Sequence, residues 1–175
     1  MKRKFYLILT IALSFINISI ASAMDLQVFP SPDGRLTAKI IPSAKPPECI
    51  VEIYGEKGKV LVRIDYSSPD GEHGQYVEQA SWTPDSKFFV YSTYNTGGHS
   101  EWQSKYFFYR RRDNKLLSSS DFLPPIVAAK FSLRAPDIIT LTIWSPFKSD
   151  KGIQGSIKLP ISFKLRDINE NTIEE

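Results

Sequence analysis

Short apolar runs separated by turn-forming residues occupy the chain from residue 26 to residue 165. Several alternate strictly, as in Leu36, Ala38 and Ile40 against Arg35, Thr37 and Lys39. A period of two marks a strand buried on one face, and no segment carries the 3.6-residue period of an amphipathic helix. The pattern predicts strands over residues 26–29, 35–41, 49–55 and 60–66, and a second set over 79–82, 87–94, 104–110 and 115–120. A third set covers 127–133, 138–144 and 155–167, the last long enough for one or two strands.

The three sets share a hinge. Pro-Asp steps at Pro32, Pro84 and Pro136 each join the first run of a set to the second, 52 residues apart each time. Proline presets the dihedral of a turn's second residue, and Asp followed by Gly34 or Ser86 tolerates turn conformations. The third copy has Ile138 in that slot, so a different turn is expected there. A fourth step, Pro69-Asp70, leads into EHGQYVE rather than a strand, so the flanking pattern and not the dipeptide carries the repeat. Four short antiparallel strands per period of about 50 residues form the unit of a propeller blade.

SPDGRLTAKI (31–40) and TPDSKFFVYST (83–93) resemble the strand–turn–strand signature of TolB-type, WD40-like propeller repeats. As a repeat the resemblance covers most of the chain, and its motif is clear in the first two copies. It implies a propeller-like arrangement and a binding platform, and it carries over no catalytic residue.

Propellers hold four to eight blades, whereas three units are present here. Face patterning indicates how the count is resolved. The second unit is apolar on both faces, through Phe88, Phe89, Val90 and Tyr91, then Tyr106, Phe107, Phe108 and Tyr109. The outer units alternate, most clearly Ile157, Leu159, Ile161, Phe163 and Leu165 against Ser156, Lys158, Pro160, Ser162 and Lys164. A middle sheet covered twice between two sheets covered once is an open stack. The expected fold is therefore all-β, three propeller-blade-like, four-stranded antiparallel units in an open stack rather than a closed ring. A dimer closing a six-bladed ring is the rival. The units are expected at about 24–66, 76–122 and 126–166 of a single domain (24–166), with a flexible tail over 167–175.

The first 23 residues change the charge argument. Lys2, Arg3 and Lys4 precede an apolar stretch that ends in Ala21-Ser22-Ala23, the pattern of a cleaved secretory signal peptide. An uncleaved anchor is the alternative. Cleavage predicts a periplasmic or secreted chain starting at Met24, with no transmembrane segment left. The full chain has 22 Lys and Arg against 19 Asp and Glu, and the leader takes three of the basic residues and no acid. The remainder is balanced, without the surplus that drives binding to a phosphate backbone, so nucleic acid is not the expected partner. Cys49 is the only cysteine, which excludes an intramolecular disulfide. Its place at the head of an apolar run predicts a small buried hydrophobe.

Chemistry is expected on loops. In four-stranded units the Pro-Asp turns lie at one end, while longer Gly- and Pro-rich connections lie at the other. Both histidines, His73 and His99, fall on the second set, near Asp70, Glu101 and Trp102. Imidazole and carboxylate groups there, His73, His99, Glu101 and Asp70, could hold a divalent metal, although their spacing matches no established ligand motif. Two loop histidines bonded to backbone are the plainer alternative. Trp102 would be an exposed aromatic anchor. No G-x-S-x-G elbow or phosphate loop occurs. Two functions are therefore carried forward. The first is an exported, non-enzymatic module that needs no cofactor and binds a protein or other envelope macromolecule through His73, His99, Glu101 and Trp102. The second is a small metal-dependent hydrolase using His73 and His99.

Overall fold

A computed structural model describes residues 25–97, 104–148 and 154–168. Eleven strands in these residues form three antiparallel sheets, none closed into a barrel. In the first sheet β1 (Gln27–Pro30), β2 (Thr37–Pro42), β3 (Cys49–Tyr54) and β4 (Val60–Asp65) lie in chain order. In the second, β5 (Gln75–Trp82), β6 (Phe88–Asn95), β7 (Lys105–Arg110) and β8 (Lys115–Ser118) do the same. The third holds β9 (Ser132–Arg134), β10 (Ile138–Lys148) and β11 (Gln154–Lys164), with β10 in the middle. Among the described residues no helix is long and apolar enough to cross a membrane.

The middle sheet separates two apolar cores, and the alternation of its strands decides which residue enters which. Val90, Phe108 and Leu117 are cross-strand partners facing the third sheet, where they meet Ile139, Leu141, Ile143 and Leu165. Their neighbours Phe89, Tyr109 and Leu116 face the first sheet and meet Ala38, Ile40, Val51 and Ile53. Phe88, Phe89 and Phe108 are buried, and Phe107 is half-buried against Tyr91 and Tyr66. Cys49 is fully buried in the core toward the first sheet, as its position in the apolar run predicts.

The outer faces carry charged residues, and that of the first sheet also carries the exposed Val28 together with Ile41 and Ile50. On the first sheet Lys39, Glu52 and Arg63 pair across three strands, with Tyr54 donating to Glu52 and the Lys39 ammonium over the Tyr54 ring. On the third, Lys158, Pro160, Ser162 and Lys164 are exposed, and Thr140 and Ser162 share a hydrogen bond of 2.6 Å. Pro160 sits in an edge strand, where its missing N–H costs no ladder bond. Adding further blades, or closing a ring through a second copy, would desolvate the Lys39–Glu52–Arg63 ladder.

Three details differ from the sequence-based expectation. The third unit has three strands among the described residues, not four. Alternation from Ser156 to Leu165 runs without a turn, so this segment forms one long partner to β10. The stretch before β9 meets β10 at the Ile126–Ile143 bridge, where the Val127 N–H donates to the Thr142 carbonyl (3.0 Å) and the Trp144 N–H to the Pro125 carbonyl (2.9 Å), too short a pairing to form a fourth strand. Next, β5 begins at Gln75, four residues before the predicted 79. A bulge between Val77 and Gln79 breaks the alternation that would have revealed it. Finally, order extends past 166: the 3-10 turn Leu165–Asp167 and Ile168 are part of the packed chain, with Leu165 and Ile168 in the core.

Neighbouring units are tied by bonds that repeat the sequence period. Trp82 Nε1 donates to the Phe29 carbonyl (2.8 Å), and the Gln79 amide exchanges two bonds of 2.9 Å with Phe131. The Pro-Asp turns also stack: the Asp33 N–H donates to Ser86 Oγ (3.0 Å) and the Asp85 N–H to the Pro136 carbonyl (3.3 Å). All three turns thus lie at one end.

Candidate functional site

The first two Pro-Asp turns are copies in atomic detail. In each, the residue before proline and the Asp carboxylate cap the same backbone. Ser31 Oγ donates to Asp33 Oδ1 (2.7 Å) and accepts from the Leu36 N–H (3.0 Å). Thr83 Oγ1 does the same with Asp85 Oδ1 (2.7 Å) and the Phe88 N–H (3.1 Å). The fourth residue has positive φ in both, 71° at Gly34 and 61° at Ser86. An isoleucine resists that region, and in the third copy Asp137 is instead buried under Arg166. Its carboxylate accepts from the Arg166 N–H (3.0 Å) and from the guanidinium Nε and Nη2 (3.0 and 2.8 Å).

The opposite end carries the histidine loop. Strand β6 alone separates the two ends, by about 23 Å at the usual rise per residue. Residues 67–74 leave β4 and return to β5, closed by the Gln75 N–H to Tyr66 carbonyl bond of 3.0 Å. Asp70 organises the outer part. Its Oδ1 accepts from the backbone N–H groups of Glu72 (2.9 Å) and His73 (3.2 Å), and its Oδ2 meets His73 Nδ1 at 2.5 Å. These bonds, from the Glu72 N–H, Ser68 and His73 in that order, hold the Asp70 carboxyl well below the usual carboxylate range. Both side chains remain exposed, His73 to 74%.

The inner part hangs on Glu48, a residue to which sequence reasoning assigned no role. Glu48 has no accessible surface. Its Oε1 accepts from the Gly74 N–H (2.7 Å) and Thr96 Oγ1 (3.2 Å), and its Oε2 from the Ser68 N–H (2.7 Å). Ser68 Oγ lies 2.5 Å from Oε1 and 2.8 Å from Asp70 Oδ1, so it links the buried carboxylate to the exposed one. Burial raises the Glu48 pKa, but the bonds from Ser68, Gly74 and Thr96 outweigh it and the net shift is downward. The fit is close. A Cβ on Gly74 would stand 2.3 Å from Glu48 Cδ and 2.4 Å from the Tyr66 carbonyl oxygen. An acid immediately before a buried strand was the one signal in the sequence.

Of the predicted site residues, His73 and Asp70 are brought together, whereas His99, Glu101 and Trp102 lie outside the described residues. The segment leading to His99 does start beside His73. The Thr96 N–H donates to the Gly74 carbonyl (3.0 Å), and a Cβ built on Gly97 would lie 2.8 Å from the Glu72 carbonyl oxygen. Among the described residues no three His, Cys, Asp or Glu side chains gather as a metal-ligating group.

A second cleft, at the Pro-Asp end, was not anticipated. Alternation along the chain would split Arg110, Arg111 and Arg112 between two faces, and beside Asp113 the run reads as a solvated strand end. Arg110 is instead buried, held by Asp113 (Nη2 to Oδ2, 2.6 Å) and donating to the Ile168 carbonyl (3.2 Å). Arg111 reaches across to Asp33 at 2.5 Å and holds its carboxyl far below the ordinary range. These residues line a cavity of about 570 Å³ together with Arg35, Lys87, Phe88 and Arg166. Comparison with protein families, curated proteins and solved structures yields no match.

Proposed function

We propose that this chain is an exported, non-enzymatic interaction module of the cell envelope that binds another macromolecule through the histidine-loop end. The observation that carries the reading is the anchoring of residues 67–74 by Glu48. Burying a carboxylate is costly unless its lone pairs are filled. Here that arrangement serves no core; it holds an exposed loop in one shape. A preordered loop loses less conformational freedom on binding. Asp70, Glu72 and His73 are presented outward on it, and His99, Glu101 and Trp102 complete the proposed face. The signal-like leader supports export, and the balanced charge after it supports a partner other than nucleic acid. The propeller-like stack and the TolB-type repeat resemblance support a binding platform.

A photo-crosslinking residue placed at Glu72, and separately at Ser162 on the outer face of the third sheet, tests this in the producing cells. The expected result is a discrete adduct from position 72 and none from position 162. Equal adducts from both, or none from 72, would overturn the assignment of the loop end.

A further inference from the structure

The core between the second and third sheets ends in an apolar groove of about 260 Å³, lined by Phe122, Leu123, Phe163 and Ile168, with Lys164 and Asp167 beside them. Phe122 and Leu123 follow the edge strand β8, and Phe163 lies on the edge strand β11. All three are only partly buried against the core that Ile168 enters. The volume lies below that of small-ligand sites, about 300–1,000 Å³, and suits one aliphatic side chain.

Positive charge surrounds the point where the chain leaves Ile168. Arg110 Nη1 donates to the Ile168 carbonyl (3.2 Å). Lys115 is the direct cross-strand partner of Arg110, in the rows of Phe108 and Leu117 that face the third sheet. Like charges directly opposite repel. Asp113 answers Arg110 with its carboxylate (2.6 Å) and Lys115 at the backbone N–H (3.4 Å). Lys115 and Lys164 are both exposed.

The residues that follow, 169–175, lie outside the described residues and read Asn-Glu-Asn-Thr-Ile-Glu-Glu. They hold three glutamates, no base and one aliphatic side chain, Ile173. Glu170 is two residues beyond Ile168, about 7 Å of extended chain, and neighbouring strands lie about 5 Å apart. That brings its carboxylate within reach of the Lys115 ammonium. Ile173 is about 17 Å of extended chain from Ile168, enough to pass Lys115 and lie against Phe122. A segment tethered so closely docks at an effective concentration in the millimolar range, so weak contacts suffice.

We propose that residues 169–175 dock back on the chain as an acidic strap across this groove, with Glu170 on Lys115, Ile173 between Phe122 and Phe163, and Glu174 beside Lys164. Each carboxylate meets its own cation, and the one aliphatic side chain fills the one apolar groove on its path. The strap is independent of the histidine-loop end.

Zero-length carbodiimide crosslinking of the mature chain, residues 24–175, with peptide mapping of the monomer, tests it. An intramolecular amide between Lys115 and Glu170 is expected, and none between the glutamates of 169–175 and Lys39 on the outer face of the first sheet. Hydrogen exchange gives a second readout at the Phe122 and Leu123 amides, both bonded to the Ser119 carbonyl. Exchange there should be at least tenfold faster in a chain ending at Ile168 and in Ile173→Asp, which keeps all three glutamates. Absence of the Lys115–Glu170 amide, its appearance only between two copies, or unchanged exchange in either variant would each overturn the proposal.

Discussion

Replacing Glu48 with alanine tests whether a buried carboxylate holds the histidine loop. The change removes the acceptor for the Ser68 and Gly74 N–H groups, each at 2.7 Å, and for Thr96 Oγ1. An orphaned buried donor costs about 1–3 kcal/mol. The losses do not simply add, because the desolvation cost of the charge disappears with it. A net loss of about 2–4 kcal/mol is expected, which for a domain of this size is about 4–16 °C in melting temperature. Glu48→Gln keeps one acceptor oxygen but turns an amide donor toward the Ser68 N–H, so it should fall between wild type and alanine. The pH dependence has a definite sign. The folded-state pKa of Glu48 is lowered, so its stabilisation is complete above the unfolded value of about 4.3 and is lost as pH falls through the folded one. The gap between wild type and Glu48→Gln should therefore be widest near neutral pH and narrow below about pH 4. Thermal melts from pH 7 to pH 3, with hydrogen exchange at the Gly74 amide, read both effects. An alanine variant that melts with wild type at pH 7 and leaves Gly74 protected would refute the reasoning.

Three further outcomes follow from the two cores and the loop. Phe89→Ala and Phe108→Ala empty opposite faces of the middle sheet, so each should cost about 3–5 kcal/mol in chemical denaturation; wild-type stability for either would mean that its face is not covered. Cys49 is fully buried and burial pushes its thiol pKa up to about 11, so a thiol reagent should label it at the rate of global unfolding; immediate labelling of native protein would place it at the surface. Gly74→Ala drives a methyl group into Glu48 and the Tyr66 carbonyl, and should destabilise the loop comparably to Glu48→Ala. An unchanged melt would show that this approach can relax.

The sequence exposed those features that depend on neighbours along the chain. Alternation at positions 88–91 and 106–109 was enough to place residues on two faces of one sheet, and Ile138 in the turn slot announced the altered third hinge. The bulge at Val77–Gln79 hid half a strand, because one extra residue resets the period. The site was less legible. Glu48, Ser68, Gly74 and Thr96 come from three separate segments, and no local pattern marks a carboxylate that will meet donors 20 to 48 residues away. The arginine cleft was missed for the same reason. Period-two reasoning assigned Arg110–Arg112 to alternate faces, but at a strand end the side chains are set by Asp113, Asp33 and the Ile168 carbonyl.

The central claim is that the histidine-loop end binds a macromolecule through a fixed polar surface. The most direct test is the affinity of the partner captured by crosslinking at position 72, measured for wild type and for an Asp70→Ala/His73→Ala variant, each with and without a chelator. Tight binding by wild type that the chelator leaves unchanged, and a loss of at least tenfold in the variant, is the predicted result. A variant that binds as wild type does, or wild-type binding abolished by the chelator, would contradict it.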